Sequence, residues 1–372
     1  MLEPKRGVSK MKLLTPGPLT TTQTVKEQMN IDRCTWEEDY KSITQNIRQS
    51  LLKLAEVDEQ EYTTILMQGS GSFIVEAVLH TAISSDDKLL IISNGAYGER
   101  IIKMTKRLGH NHVVYNVPYD EAPSEETIEQ YIQSNPDITH IVMVHCETTT
   151  GILNPVQNVG EIARKHNLVF ILDAMSSFGG VPMNIEELGI DYLISSANKC
   201  IQGVPGFGFV IAKQSHFMTT KGNSKSLSLD LYDQWKTMNV DGKWRYTSPT
   251  HVVAAFSQAI EELIQEGGVV ARYERYKNNN LYLREKMTRL GFHPYITLDK
   301  QSPIITTYLF PDADFDFSDF YNQIKEKGFT LYPGKLMDAD SFRIGNIGDL
   351  HEEDFKELVQ HINHYMEERA YA

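Results

Sequence analysis

The stretch "ISSANKCIQGVPGFGFV", residues 194–210, sets one lysine, Lys199, among small residues between two apolar runs. Burying an ammonium in a core costs free energy, and a solvated lysine ordinarily has polar neighbours. An amine at such a junction needs a chemical reason, which has to come from its surroundings. The run before it, "DYLISS" (191–196), and the run after it, "FGFVIA" (207–212), both read as buried strands.

Further out, "YTTILMQ" (62–68), "KLLIIS" (88–93), "HVVYNV" (112–117), "THIVMVH" (139–145) and "LVFILD" (168–173) are strands of the same kind. Helical patterns separate them: one follows Gly71, and others run over 97–108, near 124–133 and near 156–166. Continuous apolar strands alternating with amphipathic helices predict an α/β fold, a mainly parallel sheet covered by helices on both faces. This large domain is assigned to residues 20–255. From about 251 the rhythm changes. A helical stretch "HVVAAFSQAIEELIQEG" breaks at Gly267-Gly268 and resumes to about 290. After it come "PIITTYLF" (303–310), a helix near 316–327, "FTLYP" (329–333), "SFRIGN" (341–346) and a terminal helix from about 351. That order predicts a smaller α+β C-terminal domain over 256–372. Residues 1–19 are left as an N-terminal extension and a loop on the substrate side.

A net charge of −13 over 372 residues argues against a broad nucleic-acid or anionic-membrane surface, though not against a locally positive pocket. No apolar run approaches the roughly 18–20 residues needed to span a bilayer. The opening "MLEPKRGVSKMKLL" lacks the apolar core of a signal peptide. The three cysteines, Cys34, Cys146 and Cys200, are odd in number and far apart, which reads as reduced thiols. A cytoplasmic protein without a metal site is expected.

In an open parallel sheet, ligands bind outside the carboxyl ends of the strands. Gly69-Ser70-Gly71-Ser72 follows the first strand and opens a helix, which suits an oxyanion, although a tight turn with a helix cap is the plainer reading. Tyr97 follows the second strand beside Gly95 and Gly98, as a packing ring or as a flat platform for a ligand. "CETTTG" (146–151) offers Glu147 and three threonine hydroxyls, or simply a polar turn. Asp173 ends a fully apolar strand, where a carboxylate is costly unless paired; a helix cap is its ordinary alternative. Taken together, these are an anion cradle, a flat ring, a strand-end acid and a secluded amine. Pyridoxal 5'-phosphate demands each: a helix end for its phosphate, a lysine for its aldehyde, and an acid for its ring nitrogen. Lys199 is then a nucleophile and a proton carrier.

In these residues the sequence resembles the class V aminotransferases, a branch of the fold-type I pyridoxal-phosphate enzymes. The resemblance runs from about residue 13 to 350 through "TPGPL", "CTWEEDY", "LMQGSGSF", "SNGAYGER", "VHCETTTGILNP", "ILDAMSSFGG", "SSANKCIQGVPGFGFV", "RYTSPTH" and "FRIGNIGDL". It implies that Ser70, Gly71, Ser72 and Asn198 surround the cofactor phosphate, that Tyr97 stacks on the ring, and that Thr148 meets its phenolic oxygen. It further implies Asp173 at the ring nitrogen, Lys199 as the lysine that carries the cofactor, and Thr247 reaching the phosphate of a neighbouring subunit in a homodimer. Arg343 would pair with the substrate's anionic group, and Gly17 of the "TPGP" loop would line the substrate side. Within the family the likeness is greatest to the branch that uses 2-aminoethylphosphonate with pyruvate as acceptor. An alanine– or serine–glyoxylate (or serine–pyruvate) aminotransferase is the alternative that the residues alone leave open. A cysteine desulfurase would need a cysteine in the C-terminal half, and none follows Cys200. A non-catalytic nucleotide-binding module would leave Lys199 and Asp173 without a task.

Overall fold

The computed structural model describes residues 11–336 and 339–371; the first ten residues of the expected N-terminal extension and Ala372 lie outside them. The large sheet is built from β1 (Tyr62–Gln68), β2 (Lys88–Ser93), β3 (Asn111–Asn116), β4 (His140–Val144), β5 (Val169–Asp173), β6 (Tyr192–Ser196) and β7 (Phe207–Lys213), in the order β1-β7-β6-β5-β4-β2-β3. Pairings among β3, β2, β4, β5 and β6 are parallel, and β7 lies antiparallel between β6 and β1. The expected mainly parallel sheet with helices on both faces is what forms.

Its strands are apolar throughout because each feeds two cores. Successive side chains on a strand point to opposite faces. Leu90 and Ile92 enter one core with Met143, Phe170 and Leu172, while Leu89 and Ile91 enter the other with Val142, Ile171 and Ile194. The first core reaches past the expected domain division at 255/256, which falls inside the helix Thr250–Gln265: Phe256, Ile260 and Leu263 belong to it.

The C-terminal part has its own sheet, β8 (Ile305–Leu309), β9 (Tyr332–Pro333) and β10 (Ser341–Gly345), in the antiparallel order β8-β10-β9. A third core lies behind it, rich in aromatic side chains, in which Phe342 meets the rings of Phe292, Phe317 and Phe320 at centroid distances of 5.4–5.6 Å. Strand alternation sends Phe342 and Ile344 into that core and leaves Arg343 on the other face. The N-terminal stretch joins this part too. Lys12–Leu13 pairs in parallel with Phe329–Thr330, and Leu14 is buried in the aromatic core.

Candidate active site

At the carboxyl ends of β1, β2, β5 and β6 a cavity of about 570 Å³ is lined by Ser70, Gly71, Ser72, Tyr97, Asp173, Asn198 and Lys199. Residues far apart in sequence thus meet where a parallel sheet exposes its loop ends. Pro18, Arg100, Met175 and Gly206 complete much of the wall.

The helix Gly71–Ala82 points its N-terminus at this cavity, and Ser70 at its cap makes no side-chain capping bond. Its first N–H groups are therefore available to an anion, reinforced by the helix dipole. A Cβ on Gly71 would come within 2.7 Å of Met175 Sδ and Cε, so a side chain there would push the end of Met175 aside. Arg100, one turn into the helix Ala96–Leu108, donates to Ser72 Oγ at 3.0 Å and lies 5.0 Å over the Tyr97 ring.

Lys199 Nζ donates to the carbonyl of Pro16 at 2.8 Å. Burial lowers its pKa below the ordinary lysine value, against the opposing pull of Tyr97, Cys200 and Asp173. A buried amine so placed favours the neutral, basic form. Gly17 lies directly against it: at φ +120° it occupies a region that side chains avoid, and a Cβ there would sit 2.8 Å from Lys199 Cδ. Asp173 is 5% exposed, and Oδ1 accepts from the Met175 N–H at 2.9 Å. Burial lifts its pKa to about 6, so the carboxylate stands ready for a cationic partner that would restore its charge.

Behind the Tyr97 ring is Glu147, which is fully buried. Its Oε2 accepts from the N–H groups of Tyr97 (3.1 Å) and Gly98 (3.2 Å), and Oε1 from Thr149 N (3.1 Å) and Oγ1 (2.7 Å). The helix Ala96–Leu108 begins at Gly95, which has no side chain to cap it, so Glu147 serves as its cap from another strand end. Thr148 Oγ1 is buried close to the Tyr97 phenol, whose pKa it helps to lower, and among the described residues it makes no well-aligned hydrogen bond. Arg343 is 1% exposed and donates to the Thr148 carbonyl (Nη1, 2.9 Å) and the Pro333 carbonyl (Nε, 3.0 Å). Among the described residues it forms no ion pair, and burial lowers its pKa. Thr247 stands apart: it is exposed on this chain and does not line the cavity.

The residues present fit pyridoxal phosphate. An uncapped helix end suits its phosphate, the acceptor of Asp173 suits a protonated ring nitrogen, and the buried Thr148 hydroxyl offers a donor for a ring oxygen. Sequence reasoning missed Arg100, Met175 and the capping task of Glu147. Arg100 carried one signal, a position three residues after Tyr97 and so on the same helix face.

The sequence pattern of the Aminotransferase class-V family matches residues 26–335. A 2-aminoethylphosphonate–pyruvate transaminase of Lysinibacillus sphaericus is 61% identical over 359 residues, covering 96% of this chain and 98% of its own. A protein of the same name from Bacillus cereus is 54% identical over 351 residues, covering 94% and 96%. Among solved structures, the alanine–glyoxylate aminotransferase of Nostoc sp. superimposes with a TM-score of 0.88 at 22% identity, covering 98% of this chain and 97% of its own. The pyridoxamine–pyruvate aminotransferase of Mesorhizobium loti gives 0.89 at 20%, covering 100% and 95%. At these low identities the structural likeness speaks for the fold.

Proposed function

The chain belongs to the class V aminotransferases, and from that premise we propose that it transfers the amino group of 2-aminoethylphosphonate to pyruvate, giving phosphonoacetaldehyde and L-alanine. The near full-length identity of 61% and 54% to transaminases of that name carries the substrate assignment. For the alanine–glyoxylate alternative, the Nostoc neighbour is 22% identical, which speaks for the fold alone.

Pyridoxal phosphate, when bound, supplies an electrophilic aldehyde and a ring that withdraws electrons from the amine-bearing carbon. The residues that would hold it are Ser70, Gly71, Ser72 and Asn198 at the phosphate, Tyr97 against the ring, Thr148 at the ring oxygen, Asp173 at the ring nitrogen, and Lys199 at the aldehyde. Lys199 Nζ takes the proton from the amine-bearing carbon of the donor, and in the second half-reaction delivers one to C2 of pyruvate. Burial serves this task by favouring the uncharged form of the amine whenever it is free. Asp173 holds a proton on the ring nitrogen, and its displaced pKa makes that partnership favourable. Pro16 and Gly17 keep the Lys199 chain in one conformation, and Arg343 takes the anionic end of each substrate. Donor and acceptor use the site in turn, so ping-pong kinetics are expected.

The assembly proposed is a homodimer in the cytoplasm, in which Thr247 reaches the neighbouring site. Its exposure on a single chain supports this, as does the nearby exposed surface of Trp36 (65%) and Tyr246 (38%). The reading is tested with the purified, cofactor-loaded protein: 2-aminoethylphosphonate alone should bleach the visible absorption band, and pyruvate should restore it with one alanine formed per site. A band that responds to alanine or serine and ignores the phosphonate would refute the donor.

A further inference from the structure

Arg343 is not the only cation at the substrate end. β9 pairs with β10 so that Tyr332 stands opposite Arg343, and the chain continues through Gly334 to Lys335. Gly334 donates to the Ser341 carbonyl, and a Cβ there would collide with that same carbonyl, so the ribbon stays tight as it delivers Lys335. The Lys335 ammonium lies 3.3 Å from Tyr97 Oη and 4.6 Å from the ring centroid. Among the described residues it pairs with no carboxylate.

Tyr97 is consequently ringed by positive charge. Arg100 and Lys335 lie over its ring, and Arg343 acts on its phenol. Burial pushes the phenol's pKa up, but the amines of Lys199 and Lys335 and the hydroxyl of Thr148 outweigh that and hold it below the ordinary value. The carboxylates nearby are engaged elsewhere, Glu147 by the N–H groups of Tyr97, Gly98 and Thr149 and Asp173 by the Met175 N–H. A chain with a net charge of −13 has thus gathered several cations around Tyr97, and among the described residues neither Lys335 nor Arg343 forms an ion pair. A single carboxylate needs one guanidinium. A phosphonate carries a third oxygen and a second ionisation, and so accommodates a second cation.

We propose that Lys335 is a second cation for the donor's phosphonate, forming with Arg343 a two-cation pocket that favours a dianionic head group over a monoanionic one. This rests on the donor assigned above. Tyr97 Oη holds the ammonium in place until the phosphonate takes over, a point-charge contact that complements the planar fork of Arg343.

The test is calorimetric titration of the cofactor-loaded protein with ethylphosphonate and with its monoanionic isostere ethanesulfonate, neither of which can transaminate. Lys335→Met should weaken ethylphosphonate about 10- to 100-fold and ethanesulfonate less than about threefold, and Lys335→Arg should restore most of the difference. In turnover, the same variant should raise KM for 2-aminoethylphosphonate while kcat stays within about threefold. Equal losses for both ligands, or no loss for either, would overturn the proposal. Failure of the wild type to use 2-aminoethylphosphonate would instead overturn the donor assignment, and the titration with ethylphosphonate would still decide the role of Lys335.

Discussion

His145 offers a quantitative check on how burial governs ionisation in this fold. It follows β4, is 3% exposed, and pairs through Nδ1 with Ser177 Oγ at 2.9 Å. Burial alone lowers its pKa from 6.5 to about 4. In the folded chain it therefore stays neutral where an unfolded histidine is already charged. The unfolded state binds the proton first as pH falls below about 6.5, so stability is present above that value and is lost as pH drops toward 4. Between pH 7 and pH 5 the loss from this residue works out at about 2 kcal/mol. The perturbation is His145→Gln, which keeps a hydrogen-bonding group and removes the titration. Urea unfolding of wild type and variant at pH 7 and pH 5 gives two stability differences. The variant should be less stable at pH 7, and its deficit should shrink by about 2 kcal/mol at pH 5. Taking differences cancels opposing groups such as Asp173, whose raised pKa gains stability over the same range. A deficit that is the same at both pH values would refute a neutral buried His145.

Glu147→Ala should cost about 3–5 kcal/mol, because the N–H groups of Tyr97, Gly98 and Thr149, the last two of them buried, lose their acceptor together; urea unfolding of the apoprotein measures it, and a cost below about 1 kcal/mol would show that water replaces the carboxylate. Asp173→Asn should slow the first half-reaction about 10²–10³-fold, with a larger primary isotope effect when the donor is deuterated at its amine-bearing carbon; an unchanged isotope effect would remove Asp173 from the proton-abstraction step. Gly17→Ala should lower kcat by about 10²-fold with little change in overall unfolding, since the strain falls on the loop against Lys199; wild-type turnover there would mean that the loop yields freely.

Much of this molecule was legible because its sheet is buried on both faces. Runs such as "KLLIIS" and "LVFILD" have no polar side to confuse the reading, and the rule about strand ends then singled out Gly71, Tyr97, Asp173 and Lys199. What escaped depends on partners distant in sequence. Glu147 looks like a residue of a polar turn, and its burial is set by N–H groups some fifty positions earlier. Lys335 follows a glycine in a short loop, where a solvated lysine is ordinary; only the pairing of β9 with β10 carries it to Tyr97. The contact of Lys12–Leu13 with Phe329–Thr330 is likewise too short and too remote to leave a periodic signal.

That N-terminal contact also measures length. Gly345, two residues after Arg343, donates its N–H to the Leu14 carbonyl at 3.0 Å, and two residues beyond Leu14 the Pro16 carbonyl accepts from the Lys199 amine. One short piece of chain is thereby bonded at one end to the strand of the anion ligand and at the other to the base. With those roles as proposed, the two form the jaws of a gauge whose separation is set by one short backbone segment, bonded to the β10 backbone at one end and to the Lys199 amine at the other. A donor one methylene longer, 3-aminopropylphosphonate, would then present its amine-bearing carbon out of step with Lys199, and would occupy the site as an inhibitor without reacting.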